Sequence, residues 1–313
     1  MKIYNSIEEF SPDFNVVLTL GTFDGVHIGH QFILKELNSY AKKIGGESTL
    51  LTFYPHPRHV LFPDDQDLNL LTTIEERSRM LEDYGLKHLI VQEFSPKFSR
   101  IQAVNFVRDI LVNKLKTSRL IIGYDHHFGR NREGNFDDLV KLSDLYGYSI
   151  EKIEPQMFKG VSVSSSKIRK LIINNNIEEA ADYLGHFFFL TGKVIQGKQN
   201  GRKIGFPTAN IHVENKWKLI PNDGVYAVIV EYKSEKFSAM MNIGYNPTYH
   251  AKQKTLEVHV FDFEKDIYGD ELRIEFVKKI RKEKKFNSEL ELRTNLKIDE
   301  NKIRNLLKYK GLV

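Results

Sequence analysis

Apolar and polar positions along this chain fall into two textures, and the change comes near residue 185. In the first, short apolar runs alternate with stretches of helical period. Val16-Val17-Leu18-Thr19-Leu20 reads as a buried strand. Gln31 to Ile44 then places apolar residues at 33, 34, 37, 41 and 44, a helix that Gly45-Gly46 ends. Thr49 to Phe53 predicts a second strand, Ile74 to Tyr84 a helix stopped by Gly85, and His88 to Val91 a third strand. Ser99-x-x-Gln102 reads as a capping box opening a helix to about Leu115. Leu120 to Ile122, then Asp137 to Tyr146, then Tyr148 to Ile153 continue as strand, helix, strand. This alternation predicts an α/β domain with a doubly wound parallel sheet, Rossmann-like in order.

Val163 to Ile173 and Ile177 to Leu184 read as helices, the second capped by Asn176 and stopped by Gly185. Beyond them the period becomes two. Phe188 to Val194, Gly224 to Val230, Phe237 to Ile243, Leu256 to Phe263 and Leu272 to Val277 predict strands broken by turns. Their spacing predicts a small antiparallel β-barrel, with Ser288 to Lys308 as a helix in two segments on its outside. The expected domains are 1–184 and 185–313.

Composition narrows the class. A chain of 313 residues suits two domains, and 41% hydrophobic with 28% charged residues describes a soluble globular protein. No apolar run approaches the ~18 residues that span a bilayer, and no charged-then-apolar leader is present, so a cytoplasmic protein without a membrane partner is expected. Zero cysteines exclude disulfides and thiolate metal sites. A net charge of +5 fits anionic substrates and gives little support to nucleic acid.

The first strand runs into Gly21-Thr22-Phe23-Asp24-Gly25-Val26-His27-Ile28-Gly29-His30. A glycine-rich strand-to-helix turn aims backbone N–H groups and a helix dipole at one point, which suits a phosphate. His27 and His30 add imidazole donors, and Gly29 allows close approach of a nucleotide. Further on, Val163-Ser164-Ser165-Ser166-Lys167-Ile168-Arg169 gathers hydroxyls and a guanidinium at a helix start, a second phosphate clamp. The first segment resembles the nucleotidyltransferase signature as bacterial FAD synthetases carry it. The second resembles that family's Ser-Ser-Thr-x-Ile-Arg motif, with Ser166 in the Thr place. Gly123 to Arg130 resembles its Gly-x-Asp-Phe-x-Phe-Gly segment, departing from it at His126. The resemblance implies nucleotide or phosphate binding by Gly21, Phe23, Asp24, Gly25, Gly29, Asp125, Ser164, Ser165, Ser166 and Arg169, with His27 and His30 catalytic. His126 and His127 read as a solvated strand-end pair rather than metal ligands. The loop Tyr54-Pro55-His56-Pro57-Arg58 suits either ligand contacts or a rigid connector.

In the second half, Gly192-x-x-x-x-Gly197-Lys198 approaches a phosphate-loop motif, but Gln199 replaces the required hydroxyl and no helix is expected to follow. Gly201 to Asn210 is more informative: a basic glycine-rich loop enters a proline-fixed turn whose Thr208 and Asn210 offer hard oxygen ligands for Mg²⁺. Alternation puts Glu257, His259 and Phe261 on one strand face, and a carboxylate there is costly unless it has work. These segments, with Asn242-Ile243-Gly244-Tyr245-Asn246-Pro247-Thr248, resemble the riboflavin kinase family. The resemblance implies ATP or flavin contacts at Gly197, Lys203, Gly205, Pro207, Thr208, Asn210, Asn242 and Arg281, with Mg²⁺ on Thr208 and Asn210 and Glu257 as base.

The whole chain thus resembles the bifunctional bacterial riboflavin kinase/FAD synthetase family, in that family's domain order. The implied chemistry is phosphorylation of riboflavin to FMN and adenylylation of FMN to FAD with release of pyrophosphate. ATP, riboflavin and FMN are the implied small-molecule partners, and a monomer or weak homo-oligomer is expected. Two alternatives stay open. His-Ile-Gly-His also matches class I aminoacyl-tRNA synthetases, although the chain has little room for an anticodon-binding region. A flavin- or RNA-binding module with a decayed site is the other.

Overall fold

The computed structural model describes residues 1–64, 68–124, 127–158, 160–197, 200–245 and 254–312. The chain divides into two compact units, 1–165 and 166–313.

In the first unit six strands form one sheet in the order β1-β4-β3-β2-β5-β6, every pair parallel. They are β1 (Lys2–Tyr4), β2 (Val16–Leu20), β3 (Glu47–Tyr54), β4 (His88–Glu93), β5 (Thr117–Gly123) and β6 (Ser149–Ile153). β2 is buried throughout, Thr19 included, as suits a central strand of a parallel sheet. Neighbours on its two sides are β3 and β5, so the strand order reverses at its carboxyl end, where ligands of such sheets bind. Helix α1 (Ile28–Lys43) leaves that point. Pro57 begins a short helix, α2 (Pro57–Leu61), at the proline-tolerant first position. Helix α3 (Ile74–Asp83) opens with a capping box between Thr73 and Glu76.

The expected capping box at Ser99 and Gln102 is not formed. Ser99 lies inside a 3₁₀ turn and its Oγ donates to Pro96 O at 2.9 Å. The helix starts instead at α4 (Ala103–Asn105) and continues as a π-helix over Phe106–Lys114. A capping box does open α5 (Phe136–Tyr146), from Asn135 and Asp138. A two-stranded ribbon, β7 (Met157–Phe158) with β8 (Val161–Ser162), leads to helix α6 (Ser165–Ile173).

The second unit is a closed antiparallel barrel in the order β10-β13-β12-β11-β14-β9. Its strands are β9 (Phe188–Ile195), β10 (Ala209–His212), β11 (Gly224–Tyr232), β12 (Glu235–Tyr245), β13 (Lys254–Val260) and β14 (Glu271–Arg281). β10 corrects the expectation of a turn at 207–210: Ala209 and Asn210 pair with Val258 and Glu257 and so lie in the sheet. One turn of helix, α8 (Asn200–Lys203), precedes it, where no helix was expected.

The division at 165/166 precedes the expected 184/185 because α7 (Ile177–Leu184) packs on β9 and β14. Ile177, Ala180, Tyr183 and Leu184 are buried, and Glu178 pairs with Lys278 at 2.8 Å and Lys310 at 3.3 Å. Gly185 takes the left-handed cap, although the Asn176 side chain makes no capping hydrogen bond. The tail is one continuous helix rather than two, α9 (Glu289–Tyr309), opened by the Ser288 side chain. Neither Pro nor Gly interrupts it. Its Ile303 and Leu307 pack with Val225, Ala227, Ile229, Met240, Phe261 and Val277 on the outer face of the barrel.

Candidate nucleotide and phosphoryl-transfer sites

Each unit holds one polar constellation. In the first, Gly21 leaves β2 with its N–H donating to Leu51 O, and the turn that follows carries positive φ at Phe23 (49°), Gly25 (83°) and Val26 (40°). His27 is the N-cap of α1, its Nδ1 accepting from His30 N at 3.4 Å. Two stacked contacts make a pile of three rings: His27 on His30 at 3.6 Å and His30 on Phe23 at 4.5 Å. Gly29 permits it, since a Cβ there would lie 3.2 Å from His27 Cε1. Burial holds the His30 imidazole well below its ordinary value, and the neighbouring His27 and Arg77 lower it further. His30 is therefore neutral near pH 7 and offers one N–H donor, not a charge.

Asp24, expected to anchor a nucleotide, is fully buried. Its carboxylate accepts from Leu71 N (3.0 Å), Thr72 N (2.9 Å) and Thr72 Oγ1 (3.1 Å), and Arg77 Nη2 lies 3.5 Å away. The side chain thus holds the turn onto the start of α3. From the serine motif, Ser165 Oγ donates to Asp24 O at 3.0 Å. Ser164 is exposed just before α6, and Ser166 and Arg169 lie on α6 beyond the division between units. Asp125 and His126 fall outside the described residues, and His127 is exposed.

In the barrel, register decides what meets. Asn210 lies opposite Glu257, and Glu257 opposite Asn242. Directly opposed residues of antiparallel strands project to one side. The three side chains therefore form a row across β10, β13 and β12, each half-buried. That row continues through Val225 to Arg281, where α9 covers the face. Arg281 is already engaged there, Nε donating to Asp299 Oδ2 at 2.8 Å.

The loop ahead of the row is tightly closed. A Cβ on Gly197 would meet Asn210 Nδ2 at 1.9 Å, and one on Gly201 would meet Phe206 O at 2.2 Å. Gly205 and Pro207 link α8 to β10, and Thr208 is half-buried between them and Asn210. His259 Nδ1 donates to Pro207 O at 2.7 Å, with its ring edge-on to Phe206 at 5.3 Å. Lys203 lies on α8, its side chain outside the described atoms, and Asn246-Pro247-Thr248, Lys198 and Gln199 are also outside the described residues.

Sequence reasoning placed His259 on the face of Glu257 but missed Thr72, Arg77 and Asp299, residues that hold the others. Only Thr72 left a signal, since it directly precedes the Thr73-x-x-Glu76 capping box.

The comparisons with known proteins fall on the same two segments. The FAD synthetase family model matches residues 10–167 and the riboflavin kinase model residues 184–307. The bifunctional riboflavin kinase/FMN adenylyltransferase of Bacillus subtilis is 36% identical over 291 residues, covering 91% of this chain and 90% of its own. That of Escherichia coli K12 is 36% identical over 303 residues, covering 96% of each. The chain belongs to the bifunctional riboflavin kinase/FMN adenylyltransferase family. A Streptococcus pneumoniae crystal structure described as a macrolide-efflux protein superposes with a TM-score of 0.88. It is 31% identical and covers 97% of this chain and 98% of its own. Among the described residues here, no helix is long and apolar enough to cross a membrane. Within the family pattern, the histidine turn and Ser164–Ser165 fall under the FAD synthetase match, and the Asn210–Glu257–Asn242 row under the riboflavin kinase match.

Proposed function

We propose that this chain makes FMN from riboflavin in its barrel and FAD from FMN in its N-terminal unit, consuming one ATP at each step. One observation carries the reading: each matched family segment holds its own polar constellation, the stacked histidine turn in one and the Asn210–Glu257–Asn242 row in the other.

In the barrel, Glu257 takes the proton of the ribityl 5′-hydroxyl as that oxygen attacks the γ-phosphorus of ATP, and ADP leaves. Thr208 and Asn210 would hold Mg²⁺: both offer oxygen, and register sets Asn210 directly opposite Glu257. Bound there, the ion would neutralise charge on the transferring phosphoryl group. Gly197, Lys203, Gly205, Pro207, Asn242 and Arg281 complete the ATP and flavin contacts.

In the N-terminal unit, the FMN phosphate attacks the α-phosphorus of ATP and pyrophosphate leaves. The nucleophile is already an anion, so no base is needed. His27 and His30 donate hydrogen bonds to the reacting phosphate, and Gly21, Phe23, Gly25, Gly29, Asp125, Ser164, Ser165, Ser166 and Arg169 bind the nucleotide. We place the segment needed for the kinase at 185–313, with α7 as its brace. The reading is of a cytoplasmic protein, a monomer or weak homo-oligomer, acting on small molecules without nucleic acid or a membrane.

The test is incubation of the pure protein with riboflavin, ATP and Mg²⁺, with flavins separated by chromatography. FMN should appear first and FAD after it, with one pyrophosphate per FAD. Absence of either flavin would overturn the corresponding half.

A further inference from the structure

The histidine turn lies in a backbone conformation that the sequence alone does not favour. Phe23 and Val26 both have positive φ, and for a bulky or β-branched residue that geometry persists only where the surroundings over-determine it. Phe23 is also the ring on which His30 stacks. Whatever fixes Phe23 therefore fixes His30.

Asp24 is the next residue, fully buried, and its carboxylate docks where the chain enters α3. Backbone N–H groups there and the positive end of the helix dipole favour an anion. Thr72 works in both directions: its Oγ1 donates to Asp24 and accepts from Gly25 N at 3.0 Å. Arg77, one turn into α3 and buried, closes the network through Thr72 O at 3.1 Å and Thr72 Oγ1 at 3.3 Å. On the other side, the Asp24 carbonyl accepts from Ser165. A single residue is thus held by α3 through its side chain and by the serine motif through its backbone.

We infer that Asp24, Thr72 and Arg77 form a latch that positions the Phe23–His30–His27 ring stack for adenylyl transfer without touching substrate. The inference rests on the proposed role of that histidine turn. It removes Asp24 from the nucleotide-contact set in which the sequence pattern placed it. Phe23 and His27, both from the turn, stack with His30.

The experiment measures adenylylation of supplied FMN, with riboflavin phosphorylation by the same sample as control. Asp24→Asn puts an NH₂ where the carboxylate accepts from backbone N–H groups, and kcat should fall by ~10²-fold, the effect of misplacing a reacting group by about 1 Å. The FMN-forming rate should be unchanged. Thr72→Ser keeps the hydroxyl and should retain turnover, whereas Thr72→Val should lose it. This pair decides the matter if Asp24→Asn does not fold. A folded Asp24→Asn with wild-type kcat, or equal rates for Thr72→Ser and Thr72→Val, would overturn the latch. His30→Ala separates the two levels. Loss of adenylylation there with a wild-type Asp24→Asn refutes the latch alone, and full adenylylation in His30→Ala refutes the site itself.

Discussion

The two candidate sites are built from opposite materials. The N-terminal one is a turn whose conformation is locally unfavourable at Phe23 and Val26 and is held by buried contacts reaching to residues 71–77. The barrel's is a row on ordinary extended strands, where register brings Asn210, Glu257 and Asn242 together without strain. A turn of that kind concentrates donors within ten residues but depends on its support. A row on a closed barrel is rigid by construction, and its parts lie far apart in sequence.

The sharpest way to break the comparison is at the row. Glu257→Gln should lower FMN formation by ~10²–10⁴-fold, since the amide keeps the shape but cannot take the hydroxyl proton. Adenylylation of supplied FMN should be unaffected. A well-folded variant with near-normal single-turnover FMN formation would mean another base. At the turn, His30→Ala should lower FAD formation by ~10²–10³-fold, the usual cost of one preorganised donor. FMN formation should persist, and equal loss of both activities in a folded protein would contradict separate sites.

These two residues were legible for different reasons. His27 and His30 lie in one local strand–turn–helix pattern, and spacing alone placed them at the mouth of α1. Glu257 was legible as a carboxylate in an apolar strand, but its partners were not, because register is set by packing across the barrel. Asn210 was read in a turn since Pro207 and Thr208 carry turn chemistry; pairing with β13 and β9 overrode it. Asp24 was read as a ligand contact because its real partners are 47 to 53 residues away. At Ser99 the capping pattern was present, but the chain used it for a 3₁₀ turn. The parallel sheet and the barrel were readable from the period of strands such as β2 and β13, whose burial follows their pattern, but the short edge strand β1 and the strand β10 were not.

A smaller effect sharpens the boundary between the two regions. The fragment 166–313 should melt cooperatively, whereas 185–313 should lose about 2–5 kcal/mol because α7's apolar face is removed from β9 and β14. Both should make FMN where folded. Equal melting temperatures would show that α7 does not brace the barrel.

The smallest effect is on pH. His30 in the folded protein titrates below its ordinary 6.5, so the unfolded chain binds a proton that the folded one does not. Its contribution to stability is complete above about 6.5 and is lost as pH falls below that toward the lowered folded value. Between pH 7 and 5.5 the first unit's melting temperature should therefore fall more steeply in wild type than in His30→Gln. Equal slopes would contradict a neutral, buried His30.

The central claim is that one chain carries two independent sites, and mixing two variants tests it directly. His30→Ala alone should convert riboflavin only to FMN, and Glu257→Gln alone should leave riboflavin unchanged. An equimolar mixture, given riboflavin, ATP and Mg²⁺, should make FAD, because FMN released by the first variant is adenylylated by the second. A mixture that makes no FAD, while each variant keeps its own remaining activity, would contradict the account.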